Sequence, residues 1–513
     1  MSEIPEPGTA AAASPPAGNG PVKPGYDPGL VNEDLAPLKR QTWTSYDIFA
    51  FWMSDVHSVG GYITAGSLFA LGLNGWQVLT ALLAGILIVQ ACCNLVARPS
   101  QLTGTPFPVV CRLAFGVHGA NIPALVRGAI AMAWYGIQTY LASGALLIAA
   151  LKLQPQLAPY ADVARHGFAG LSTLGWCAYL ALWAAQAAVF WRGMESIRRF
   201  IDWSGPAVYV VMAVLAGWLV HKAGWSNIGL SLSETRLEGW HAVSATAGAI
   251  ALVVTYFSGP MLNFGDFSRY ARTMRAVRRG NAWGLPVNFL FFSLLTVVTI
   301  AATRPVFGRF IHDPVETIAR IDSTFAVLLG SLTFVVATVG INIVANFVSP
   351  AFDLSNAAPQ RISWHTGGMI AAIGSVLLTP WNIFDNPLMI HYTLDVLGAF
   401  VGPLFGILVA DYYLVRKRHI VLDDLFTRDP GGAYWYRKGY NPAAIKALVP
   451  AVLVPIACVL APDLRGLANY SWFIGMGMGT ALYTLFMRQA AARADAPGTC
   501  RAAPDDAPAP GAG

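Results

Sequence analysis

Charge is scarce in this sequence, and the short motifs of enzymes are missing from it. Asp, Glu, Lys and Arg make up 12% of the 513 residues, against about 25% in an ordinary soluble chain, too few to cover a water-facing surface. No His-Glu-x-x-His pair, nucleophile elbow or phosphate loop occurs, so metal-assisted hydrolysis, acyl transfer and nucleotide chemistry lack their usual residues. An intramembrane aspartyl protease needs Gly-x-Gly-Asp, and ahead of Asp266 the chain reads Asn263, Phe264, Gly265. The protein is therefore not expected to be an enzyme. Cysteine is equally sparse: Cys92, Cys93, Cys111, Cys177, Cys458 and Cys500 have the spacing of neither a metal cage nor a disulfide framework and read as small buried hydrophobes. No cofactor is expected. The N-terminus lacks the charged start, apolar run and cleavage site of a signal peptide.

What the chain has instead is apolar length. Hydrophobic residues reach 55%, and about twelve runs of the roughly 20 residues needed to cross a bilayer lie near 46–70, 75–97, 120–151, 170–191, 199–221, 241–265, 282–303, 323–348, 366–381, 390–415, 443–461 and 467–487. These predict an all-α integral membrane protein. Arg192, Arg198 and Arg199 follow the fourth run, Arg269, Arg272, Arg275, Arg278 and Arg279 the sixth, and Arg416, Lys417 and Arg418 the tenth; the alternate links hold only scattered charges such as Lys152, Lys222, Arg304, Arg309 and Arg465. The positive-inside bias puts both termini in the cytoplasm of a multi-pass protein of the cell inner (plasma) membrane. The net charge of +6 is then mostly topology, and no nucleic-acid partner is needed to explain it. Residues 1–35 and 489–513 are Ala/Pro/Gly-rich and are expected to be disordered cytoplasmic tails around one transporter domain over 36–488. The oligomeric state is not legible.

Two runs are interrupted, and each stands first in a set of five. The first contains Asp55, His57, Gly60 and Gly61; the sixth is broken at Ser258, Gly259 and Pro260. Backbone can leave the helix at membrane depth only where protein or a water-filled cavity satisfies it, and interruptions at matching places in two halves point to a transporter's central site. An ionisable group inside the membrane is a functional candidate by default, so Asp55 and His57 are proton-coupling candidates, and Asp395, among the apolar residues of the tenth run, is a secondary one. Asp266 and Asp411 sit beside clustered cations and are expected to pair with them.

Four stretches resemble, in order, the nucleobase:cation symporter-1 family: GTPFPVVCRLAFGVHGANIPALVRGAIAMAWYGIQTY (104–140), NFGDFSRYAR (263–272), NIVANFVSPAFDLSN (342–356) and GPLFGILVADYYLVRKR (402–418). With the opening NEDLAPL (32–38) the resemblance spans roughly residues 32–487. It implies a leucine-transporter-like fold, two inverted five-helix repeats (about 42–222 and 238–418) plus two extra helices (about 440–488), carrying nucleobases, hydantoins, allantoin and related rings.

The residues themselves supply chemistry for such a cargo. Trp134 and Gln138 lie one helical turn apart on one face, so a flat heterocycle can stack on the indole while the carboxamide pairs with its alternating N–H and C=O groups. Asn342 and Asn346 repeat that spacing in the eighth run, and Asn346 offers a second amide clamp. Phe257 falls where the family has a second stacking tryptophan, and Gly259 opens the backbone beside it. The resemblance also implies a sodium site built partly from a Ser-Thr pair just before the Asn-x-x-x-Asn stretch. Here that pair is Gly340-Ile341, which removes both side-chain oxygens and favours the proton over sodium. The expectation is import of a nucleobase or related heterocycle (uracil, cytosine, allantoin, hydantoin or purine) by proton symport; a thiamine-like cation carrier, a sodium-coupled symporter and a passive channel are the alternatives.

Overall fold

The computed structural model describes residues 22–229, 232–233, 236–384 and 387–494; within these, the side chains of 59, 383–384, 387–395, 397, 465 and 493–494 are outside the description. Asp395 lies on a helix, but its side chain is among those outside the described residues.

Helices dominate, and they follow the apolar runs. In chain order the principal ones are α1 (Ser45–Val56), α2 (Val59–Phe69), α3 (Gly75–Thr103), α4 (Asn121–Leu153), α5 (Thr173–Trp191), α6 (Met194–Ala223), α7 (Gly239–Tyr256), α8 (Ser258–Leu262), α9 (Met274–Ala282), α10 (Asn288–Phe307), α11 (Thr324–Ile341), α12 (Val348–Ala357), α13 (Trp364–Leu377), α14 (Pro387–Val409), α15 (Pro442–Leu460) and α16 (Ser471–Ala494). A two-stranded hairpin, β1 (Gly167–Phe168) with β2 (Leu171–Ser172), precedes α5. Among the described residues eight helical stretches are long and apolar enough to cross a membrane.

The ends of these helices are written in the sequence. Thr44 and Asp47 form a reciprocal capping box at the start of α1, with Asp47 Oδ2 accepting the Thr44 N–H at 2.6 Å. Asn74 and Gln77 do the same for α3, at 2.9 and 3.0 Å; satisfying the orphan N–H groups of a first turn is what sets where a helix begins. The α3 helix stops at Gly104, whose φ of +69° is open to glycine at little cost.

Helix α4 is the axis of the arrangement. It packs against α11, α12 and α13, while α1 packs against α6, α9 and α11; α15 and α16 pack with α14 away from that centre. Among the described residues three helices carry wide π-helical turns, at Trp283–Val287, Asn342–Phe347 and Ala410–Val415, a local underwinding that recurs at functional sites.

Two expectations need correction. Order begins well before residue 36: Leu30, Val31 and Leu35 are buried, and Tyr26 stacks on Phe426 with ring centroids 4.5 Å apart. Asp266 does not pair with the cations that follow it. Its Oδ1 accepts the Phe107 N–H at 2.8 Å, while Arg269 spends its guanidinium on the carbonyls of Gly104, Asp34 and Ala36 at 2.8–2.9 Å. Asp411 does behave as expected, bonding Arg416 Nε at 2.9 Å. Of the described cysteines, Cys177 is exposed and the others are buried.

Candidate functional site

The first interruption is a true break. His57 (φ −83°, ψ 84°) and Ser58 (φ −140°, ψ 163°) leave the helical region, and Ser58 Oγ restarts the helix by accepting the Gly61 N–H at 2.8 Å. Gly60 and Gly61 belong to the first turn of α2. The second interruption centres on Phe257, and Ser258, Gly259 and Pro260 open the short helix that follows. The two breaks meet: Ser58 Oγ lies 3.4 Å from the hydroxyl of Tyr256, the last residue of α7.

Gln138 lies over the first break. A Cβ built on Gly60 would stand 3.0 Å from Gln138 Nε2 and 3.4 Å from Oε1, so only glycine leaves that space for the carboxamide. Gln138 is buried, and its Oε1 has no hydrogen-bond partner. Trp134, one turn earlier, is half-buried against the apolar core. The two asparagines of the wide turn differ. Asn342 Nδ2 donates to Tyr135 O at 3.2 Å and Thr139 Oγ1 at 3.0 Å, while its oxygen accepts from Asn346 Nδ2 at 3.0 Å. Asn342 is thus tied to α4, whereas Asn346 keeps its carboxamide oxygen for another donor. Phe257 is buried and touched edge-on by Trp52, Tyr256 and Phe289, with centroids 5.2–6.4 Å away.

Beside these groups stands a buried arginine that sequence reasoning passed over. Arg127, two turns before Trp134 on α4, donates from Nε to Asn263 Oδ1 at 2.9 Å and Gly259 O at 3.3 Å, and from Nη2 to Ala345 O at 2.8 Å. It therefore joins α4 to the second break and to the wide turn. Asn263 also bonds Ser349, and Asp353, with no exposed surface, has neither carboxylate oxygen bonded. Asp55, Asp266 and Asp353 all lie within electrostatic reach of Arg127. The signal was available: a cation inside an apolar run is itself a functional flag.

The proton candidates part company. Asp55 is buried with Oδ1 unpaired and faces the field of Arg127. His57 turns the other way, its ring edge-on to Tyr209 at 3.9 Å and stacked on Phe292 at 5.2 Å. At Gly340 a Cβ would stand 3.3 Å from Ser54 Cβ, so α1 and α11 approach closely there, with Ser54 Oγ and Thr338 Oγ1 buried and unbonded.

This geometry, with two broken helices meeting over an amide-bearing third, is matched by what the chain is similar to. Residues 36–475 match the model of a family described as permease for cytosine/purines, uracil, thiamine, allantoin. The chain belongs to the nucleobase:cation symporter-1 family. Its relatives include an allantoin permease of Bacillus subtilis, 34% identical over 90% of this chain and 93% of that one, and a purine-uracil permease of Arabidopsis thaliana, 33% identical over 83% and 71%. Among solved structures it resembles Mhp1, a nucleobase-cation-symport-1 family transporter in a closed conformation with bromovinylhydantoin bound, at a TM-score of 0.73 and 22% identity over 90% of this chain and 96% of that one. The nucleobase:cation symporter-1 chain accordingly has the leucine-transporter-like fold, and it is a membrane permease, not an enzyme.

Proposed function

We propose that the protein imports a small amide-bearing heterocycle, allantoin first among the nucleobases and hydantoins, together with a proton. The carrying observation is Gln138: a buried carboxamide with an unbonded oxygen, pressed against the glycine of a broken helix, is a pairing group awaiting a ring's N–H. Trp134 supplies the stacking face, Asn346 the second amide, and Phe257 and Gly259 the wall at the second break. Twelve spans, in inverted repeats over about 42–222 and 238–418, alternate access around this fixed site, with both termini in the cytoplasm and the protein in the inner (plasma) membrane.

Asp55 is the proton carrier in this reading. Its carboxyl lies inside the membrane near the substrate groups, and Gly340-Ile341 offers sodium no side-chain oxygen. A thiamine-like cation fits less well, since Arg127 already supplies positive charge to Asp55 and a second cation would meet that guanidinium.

Uptake of labelled allantoin, uracil, cytosine and hydantoin into liposomes under an imposed inward proton gradient tests the proposal. Accumulation above equilibrium is expected for at least one of them without sodium, and Asp55→Asn is expected to abolish accumulation while leaving exchange. Uptake that requires sodium and ignores pH refutes proton coupling; entry that never exceeds equilibrium indicates a channel.

A further inference from the structure

Away from the substrate groups, buried polar atoms without protein partners collect along one face of α10. Phe292 stacks on the His57 ring, Thr299 lies beside Tyr62, and Ile300 meets the position of Gly66, 2.5 Å from where a Cβ would stand. Thr296 is one turn from Phe292 and one from Thr299 and Ile300, so it sits between His57 and Tyr62. The ordinary fate of a hydroxyl on this helix is to bond its own backbone, as Thr299 does to Leu295 O at 2.7 Å and Thr303 to Ile300 O at 2.6 Å. Ser293 and Thr296 do not. Their hydroxyls are buried without a hydrogen-bond partner, and the Tyr62 hydroxyl and both His57 ring nitrogens are buried with no well-formed one, Thr299 standing within reach of Tyr62 and Asn288 within reach of His57; buried polar atoms left in this way call for ordered water.

The line has two defined ends. Beyond Gly66 is His312, its Nδ1 3.6 Å from the same built Cβ, followed by Asp313, which caps the next short helix and lies within electrostatic reach of Tyr62. At the other end Tyr209 covers His57 and bonds Asn288 through O and Oδ1 at 2.9 and 2.7 Å. The titratable group facing His57 is Tyr209 from α6, α10 presents the neutral Phe292 and Asn288, and Asp55 lies two residues earlier in the chain on the side of Arg127.

We propose that the seam between α2 and α10 is a hydrated proton route from the His312–Asp313 face to His57 and Asp55, separate from the substrate site between α2 and α4. This rests on the proton-symport reading above. A proton leaves hydronium at the outer face, each O–H bond made along the water file is matched by one broken, and the last forms on the Asp55 carboxylate. Tyr62, Ser293 and Thr296 hold the water and gain no net proton.

The test uses the full chain in liposomes with Thr296→Val and Tyr62→Phe, which keep shape and lose the hydroxyl, and Thr296→Ser, which keeps it. Proton-driven accumulation of the substrate that the unaltered protein takes up is expected to be lost in the first two and kept in the third, with exchange at equal pH intact in all. A readout needing no substrate is the infrared carbonyl band that Asp55→Asn removes: on transfer to heavy water its exchange is expected to slow in Thr296→Val and Tyr62→Phe alone. Normal accumulation and normal exchange of that band in those variants overturn the route while leaving proton symport standing. Loss of equal-pH exchange in Thr296→Val would reduce the hydroxyl to packing and overturn it too. An unaltered protein indifferent to pH, or driven by sodium at equal pH, would overturn both readings.

Discussion

Removing the Arg127 guanidinium should cost the fold more than any substitution at the substrate groups. Arg127 is 1% exposed and donates to three acceptors on two pieces of chain, Gly259 O and Asn263 Oδ1 at the second break and Ala345 O in the wide turn. In Arg127→Met each acceptor loses a charged donor in a place water cannot easily refill, at about 1–3 kcal/mol apiece. The nearby carboxyls also lose their counter-charge, and taking one partner from a buried ionic network typically costs about 3–5 kcal/mol. The two losses overlap, so a net destabilisation on the order of 3–5 kcal/mol is expected. Arg127→Lys keeps the charge, but one ammonium cannot reproduce a planar fork held by three acceptors, and its stability should fall between. Thermal unfolding of the purified proteins in detergent measures both. Arg127→Met unfolding with the unaltered protein would refute the bridging role, and Arg127→Lys doing so would refute the need for the fork.

The substrate groups should separate in a binding titration. Gln138→Ala and Asn346→Ala are each expected to weaken affinity by about 1–3 kcal/mol, whereas Asn342→Ala, whose amide is committed to Tyr135 and Thr139, should lower thermal stability; equal affinity loss in all three would refute that division. Gly60→Ala places a methyl 3.0 Å from Gln138 Nε2 and should push the carboxamide aside, so undiminished binding there would remove Gln138 from the site. Trp134→Phe should keep measurable transport and Trp134→Ala lose most of it; matching rates would show that the ring is not the platform.

Helix positions were legible because membrane depth demands long apolar runs, and the break at His57–Ser58 was legible because polar and glycine residues interrupt one. The break near Phe257 was misplaced by a residue, since Gly259 and Pro260 look like breakers yet open a helical turn. The difference between Asn342 and Asn346 could not be read from spacing: the wide turn that carries them is a property of packing against α4. The Arg127 network was missed although the residue stands in plain view within an apolar run. Two of its three acceptors are the backbone carbonyls at 259 and 345, and carbonyls leave no trace in a sequence. The unexpected order before residue 36 has the same cause, because Arg112 and Arg269 reach main-chain oxygens of that segment.

That N-terminal segment has a consequence for how the protein is made. Leu30 O waits for Arg112, Asn32 for Ser355 and Pro359, Asp34 for the Trp364 N–H, and Asp27 N–H for Phe426 O. This segment therefore finds the last of these partners only once residue 426 has been synthesised. A chain stalled in synthesis before residue 426 lacks both the acceptor for the Asp27 N–H and the ring on which Tyr26 stacks.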